Sequence, residues 1–168
     1  TIFSEFYYEA AWRITPLLIE NESLGRAVQF LKSSADSFYV PPANMEMVLA
    51  KPEASAQTGL EQSSLEDALQ NAFKAIEAVI GDPPKDDRKF QARLAAAGLD
   101  PTVEIGFTDG VPLHVMIRRM NRARDKKSAH GSTRDRKITI VEMLEYQECA
   151  FAVVLNAIEN ALGESIYL

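Results

Sequence analysis

The segment from Ser64 to Ile80, S-L-E-D-A-L-Q-N-A-F-K-A-I-E-A-V-I, limits the fold more than any other stretch of the chain. Leu65, Ala68, Leu69, Ala72, Phe73, Ile76, Val79 and Ile80 recur at steps of three and four, so on a helix they form one apolar stripe. Ser64 has the chemistry of a helix cap, and Glu66 and Asp67 suit the positive end of the helix dipole. Gly81-Asp82-Pro83-Pro84 then stops the helix. A helix this apolar on one side needs neighbours to cover it, and in isolation it is only marginally stable.

The rest of the chain supplies those neighbours. Phe3, Phe6, Tyr7, Ala10, Ala11, Ile14, Leu17 and Leu18 repeat at helical spacing, with Pro16 expected to kink or end the helix. Asn21 to Ser23 can cap a second helix carrying Leu24, Ala27, Val28, Leu31, Ala35 and Phe38. Tyr7, Tyr8 and Trp12 read as packing residues. Val40-Pro41-Pro42 breaks the pattern, and the polar run from Lys51 to Ser63 reads as a linker. After Ile80 come a short helix from Asp86 to Ala97 and an ambiguous segment, Pro101 to Gly110, where Thr102 to Ile105 could be extended. Val111-Pro112 opens the next helix, with Val115, Met116, Met120 and Ala123 toward the core. Thr139 to Glu142 has the form of a capping box for a last helix reaching about Leu162. Its apolar residues occupy more than one face, as in a central core helix or a dimer surface. The fold class expected is an all-α helical bundle: N-terminal helices over 1–50 packing on the core, a linker over 51–63 and the main bundle over 64–168.

Composition narrows the function. With 46% hydrophobic residues, the 168-residue chain can bury a sizeable core, and its net charge of -6 argues against coating by nucleic acid. The single cysteine, Cys149, excludes an internal disulfide and fits a reducing compartment; its apolar neighbours make it a buried structural thiol rather than a nucleophile. No apolar run approaches the roughly 20 residues of a membrane span, and no secretory signal is visible, so the expected location is cytoplasmic. The chain starts at Thr1, which suits trimming or excision from something longer. There is no G-x-x-x-x-G-K-[ST] loop, and two histidines 16 positions apart with one cysteine make no recognisable zinc site. No metal or cofactor is expected. Glu77 reads as part of a solvated face, and Glu142, Glu145, Glu148 and Glu159 as a solvated stripe.

Against this acidic background, Met116 to Gly131 (M-I-R-R-M-N-R-A-R-D-K-K-S-A-H-G) gathers four arginines and two lysines with one aspartate, and includes His130. A guanidinium grips phosphate with two prongs, and an imidazole titrates near neutral pH and can move a proton. Together they suit RNA cleavage without a metal: the imidazole handles the proton of the ribose 2′-hydroxyl or of the leaving oxygen, and the guanidinium stabilises charge on the phosphorane. Arg124 and His130 are six apart, so on a regular helix they point about 120° away from each other. They can meet at one phosphate if the helix loosens between them or if a second copy contributes the same pair. His114, with no arginine at the matching upstream distance, reads as structural or surface-exposed.

Arg124, Asp125 and the Ala129-His130-Gly131 setting resemble the signature of the HEPN superfamily. Over roughly the last 100 residues the order of elements is similar to that family's, and the run F-K-A-I-E-A-V-I-G is similar to its second helix. The resemblance implies a HEPN-like core of four or more helices with extra helices at the N-terminus. It also implies a metal-independent endoribonuclease, of the toxin or antiviral defence kind, in which two motifs meet in the composite cleft of a homodimer. Arg124 and His130 would then be catalytic, with Asp125 in a polar position often filled by asparagine. Arg118, Arg119, Arg122, Lys126 and Lys127 would bind the RNA backbone. Other members of the superfamily are catalytically inactive binding or dimerisation modules beside a nucleotidyltransferase or within a larger defence protein. The implied partners are therefore RNA, a second copy, and an antitoxin or a nucleotidyltransferase.

Overall fold

The computed structural model describes residues 12–53, 59–107, 109–128 and 137–166, with only the backbone described for 59–61 and 126–128. Phe3, Phe6, Tyr7, Tyr8, Ala10 and Ala11 lie outside these residues. The chain is an all-α bundle: α1 (described over 12–20), α2 (Glu22–Ser37), a 3-10 turn (Pro42–Asn44), α3 (Met45–Leu49), α4 (Gly59–Ile80), α5 (Asp87–Ala96), α6 (Leu113–Ser128) and α7 (Ile140–Leu162). Between α5 and α6, β1 (Glu104–Ile105) pairs antiparallel with β2 (Val111–Pro112), setting Glu104 opposite Pro112 and Ile105 opposite Val111.

Helix α4 is covered on several sides. Leu65, Leu69, Ala72, Phe73 and Ile76 join Phe90 and Leu94 of α5, Leu113, Met116, Ile117 and Met120 of α6, and Met143, Cys149 and Val153 of α7 in one buried cluster. Ala75 on another side of α4 meets Leu24 and Ala27 of α2 and Val154 and Ile158 of α7, with Ile14, Leu17 and Leu18 of α1 packed against them. A polar chain pins the three long helices together. Gln147 of α7 donates to the Ser34 carbonyl at 3.2 Å, and the Ser34 hydroxyl donates to the Ala68 carbonyl of α4 at 2.8 Å. Because Ser34 is 1% exposed, each bond satisfies a group that would otherwise cost free energy to bury.

The caps follow the sequence closely. Asn21 accepts from the Leu24 amide, Asp86 from the Lys89 amide, and Thr139 and Glu142 form a reciprocal capping box. Gly163, at φ +74, ends α7. Four expectations change. Helix α4 begins at Gly59, so Ser64 lies inside it and part of the expected linker is helical; the intrahelical bonds of one more turn outweigh the polarity of that segment. Helix α1 continues through Pro16, which is exposed and removes only one backbone donor. Met45–Leu49 adds a short helix that the first 50 residues did not suggest. Val111 and Pro112 are a strand, and α6 starts at Leu113. Helix α7 is a core helix, buried against α2, α4 and α6.

Ile76, fully buried near the C-terminal end of α4, tests this arrangement. Ile76→Ala should lower unfolding stability by about 2–5 kcal/mol, the range for truncating a buried aliphatic residue, as measured by urea unfolding followed by circular dichroism.

Candidate functional site

Successive residues on α6 turn by about 100°, so Leu113, Met116, Ile117, Met120, Ala123 and Arg124 share one side. The first four of these are buried in the core. Arg124 lies one turn beyond Met120 on that side, next to Ala123, and at the edge of the core its guanidinium turns onto α4. Its carbon lies 4.1 Å from the centroid of the buried Phe73 ring. Nη1 donates to Glu77 Oε1 at 2.9 Å, one turn along α4 from Phe73, and Nη2 donates to Asn121 Oδ1 at 2.9 Å. Asp125 Oδ1 accepts more weakly from Nη2 at 3.3 Å and Nε at 3.4 Å. The Arg124 side chain keeps 22% of its surface exposed, so the group is held in orientation yet reachable from solvent.

Among the described residues this geometry leaves one Nη1 hydrogen without an acceptor, because a guanidinium has five N–H donors. The long contacts to Asp125 are the ones a phosphate would displace most easily. Nearby carboxylates at Glu77 and Asp125 set two negative charges against one positive, which opposes anion binding until one of them is displaced.

The other basic residues of the stretch divide into two groups. Arg118 is drawn into the fold: its guanidinium lies 4.6 Å from the Phe90 ring centroid, donates to the Lys85 carbonyl at 3.0 Å and pairs with Asp87 at 3.0 Å. These contacts fasten α6 to the start of α5 and account for the side chain being 15% exposed. Arg118, expected to bind the RNA backbone, is thus engaged within the fold, where stacking and paired acceptors hold it. Arg119 and Arg122 are exposed on the side of α6 away from the core. His130 lies outside the described residues, as do the side chains of Lys126 and Lys127. His114 is structural: Nδ1 lies 2.7 Å from the Pro101 carbonyl.

The sequence signal missed Glu77. On α4 it looked like one more solvated acid, yet it is the principal partner of Arg124 across 47 residues of chain. Phe73 and Glu77 stand four apart on the helix, so a cation meeting one meets the other. Glu77 also belongs to a cleft of about 400 Å³ between α2 and α4, lined by Ser23, Arg26, Phe30, Lys74, Glu77 and Ala78.

The acids of α7 do not form a solvated stripe. Glu142 caps the helix, Glu159 accepts from the Ser165 hydroxyl and the Ile166 amide, and Glu145 is 9% exposed and accepts from the Phe107 amide. Glu148 has an oxygen, Oε2, shielded from solvent with no hydrogen-bond partner among the described residues. Burial, and then the charge of Glu145, raises the Glu148 carboxyl above the ordinary glutamate range. Burial, followed by Glu148, likewise pushes up the Cys149 thiol, so a thiolate nucleophile there is disfavoured. Among the described residues no group of three or more His, Cys, Asp or Glu side chains could hold a metal ion, and no helix is long and apolar enough to cross a membrane.

No family model, curated protein or solved structure matches the chain.

The raised Glu148 carboxyl has a testable sign. Folding favours its protonated form, so wild-type stability falls as pH rises from the ordinary glutamate value through the raised one. Glu148→Gln should be more stable than wild type at pH 7, and that advantage should vanish as pH drops below the ordinary glutamate range, in thermal melts across pH.

Proposed function

We propose that this chain is a metal-independent endoribonuclease of the HEPN kind, working as a homodimer with a composite site. A role as a toxin or antiviral effector, checked by an antitoxin partner, belongs to the same proposal. The observation that carries it is Arg124: a guanidinium fixed on Phe73 and Glu77 at the rim of the core, not sunk in the apolar interior. The motif Arg124-Asp125 with Ala129-His130-Gly131 supplies the rest.

The chemistry is a transesterification. One His130 imidazole removes the ribose 2′-hydroxyl proton, and the 2′-oxygen forms a bond to phosphorus. The bond from phosphorus to the 5′-oxygen breaks, and the imidazolium of the other copy protonates that leaving oxygen. Arg124 from each copy donates to the non-bridging oxygens as charge gathers on them. The products are a 2′,3′-cyclic phosphate and a 5′-hydroxyl. Arg119, Arg122, Lys126 and Lys127 would hold the RNA backbone without reading sequence.

A second reading is favoured by the acceptors around Arg124. Glu77, Asn121 and Asp125 already take most of its donors, as expected of an arginine that ties α6 to α4. On this reading the chain is a catalytically inactive binding or dimerisation module beside a nucleotidyltransferase or a larger defence protein.

RNA cleavage in EDTA separates the two. Wild type should cleave, Arg124→Ala should lose roughly 10²–10³-fold in turnover, and His130→Ala roughly 10²–10⁴-fold. Lys126→Ala should instead weaken binding and flatten its salt dependence by about one unit of slope. Equal activity in wild type, Arg124→Ala and His130→Ala, or none in wild type, removes the nuclease; loss of stability alone in Arg124→Ala leaves the module.

A further inference from the structure

The cleft between α2 and α4 is not used by the chemistry above, and its lining is distinctive. Arg26 and Phe30 come from α2, one turn apart, and Lys74 and Glu77 from α4. Lys74 is exposed, and its ammonium lies 5.7 Å from the Phe30 ring centroid; among the described residues it has no ion-pair partner. Arg26 is 62% exposed, and its contact with Glu22 is 4.0 Å long, which makes it a weak surface pair. The one carboxylate in the lining, Glu77, is offset on its other side by Arg124. The cleft therefore presents two available cations in a chain of net charge -6. Its volume of about 400 Å³ falls in the range of small-ligand sites.

Available cations beside an aromatic wall suit a ligand that joins a phosphate to a flat ring. We propose that the α2–α4 cleft binds a nucleotide, with its phosphate on Arg26 and Lys74 and its base against Phe30. Preference for a nucleotide over another phosphate rests on the ribonuclease reading, since Glu77 joins the cleft to Arg124. The occupant is either a free nucleotide or a residue of an RNA strand whose neighbouring phosphate lies at Arg124. Base stacking on an aromatic ring and phosphate contacts to cations are both tolerant of sequence.

The test is calorimetric titration of the full chain with AMP, with inorganic phosphate, and with a short single-stranded 2′-O-methyl oligoribonucleotide, which cannot be cleaved through its 2′-oxygen. Arg26→Ala and Lys74→Ala should each weaken binding roughly tenfold, the low end for a hydrogen bond to a charged group. Phe30→Leu should weaken AMP but not inorganic phosphate. Lys32→Ala, an exposed cation elsewhere on α2 paired with Asp36, should change nothing. Binding of AMP supports a nucleotide site, and binding of the oligonucleotide alone supports the same site serving a strand. Absence of binding by both, binding that Arg26→Ala and Lys74→Ala leave intact, or phosphate binding as tightly as AMP overturns the inference. Nucleotide binding lost in Lys74→Ala without RNA cleavage in EDTA by wild type would keep the cleft and remove the nuclease; cleavage without such binding would do the reverse.

Discussion

The contact on which the architecture turns is the burial of α4 from several sides at once. Its Leu65, Leu69, Phe73 and Ile76 are buried with α5, α6 and α7, while Ala75 meets α2 and α7. Small residues are what allow this. Ala68, Ala72 and Ala75 let neighbouring helices approach, and the larger side chains fill the space between. Since Phe73 is fully buried in the same packing that sets the separation of α4 and α6, it is both core residue and platform. The position of the Arg124 guanidinium over its ring follows from hydrophobic packing before any charge is considered.

Charge then decides what Arg124 can do. A guanidinium over an aromatic face is only partly hydrated, so its pairing with Glu77 is stronger than a fully exposed pair would be. That pairing fixes direction, which reduces the ordering cost of meeting a phosphate. It also lowers the net positive charge at the same place. Which consequence dominates depends on the geometry of Asp125, whose contacts of 3.3 and 3.4 Å are much weaker than the 2.9 Å bond to Glu77. A phosphate replacing Asp125 would keep the Glu77 anchor, while one replacing Glu77 would leave only the Phe73 ring and Asn121 to orient the guanidinium.

Helix type and order were legible in the sequence because apolar periodicity and capping residues agree at α2 and α7, and a glycine follows α5. Asn21 and Thr139 each perform the capping role that their chemistry suggests. The start of α4 was not legible, since the polar run before Ser64 satisfies a helix and a loop equally well. Of the candidate site, the exposure of Arg119 and Arg122 could be read from spacing. The docking of Arg118 on Phe90 and the pairing of Arg124 with Glu77 could not. Both depend on contacts across more than 25 residues of chain, where an arginine bound for solvent and one bound for an aromatic ring look identical in sequence. Glu145 and Glu148 show the same limit on α7: four acids in a row of turns look solvated until the packing of β1 and its following loop covers part of them.

The split of α6 into two faces constrains how any RNA strand could approach. Arg124 lies on the core side of the helix and reaches toward α4, while Arg119 and Arg122 stand on the far side, separated by the width of a helix, about 10 Å with side chains. A phosphate at Arg124 therefore has Phe73 and Glu77 of α4 beside it, and Glu77 is also part of the wall of the α2–α4 cleft, which carries Lys74 and Arg26. A strand lying across α4 would meet Lys74 and Arg26, whereas one wrapped around α6 would meet Arg119 and Arg122. The first path runs along surface that the core packing already fixes, while the second uses the cations on the far face of α6, so a strand that engages both must cross from one helix to the other at Arg124.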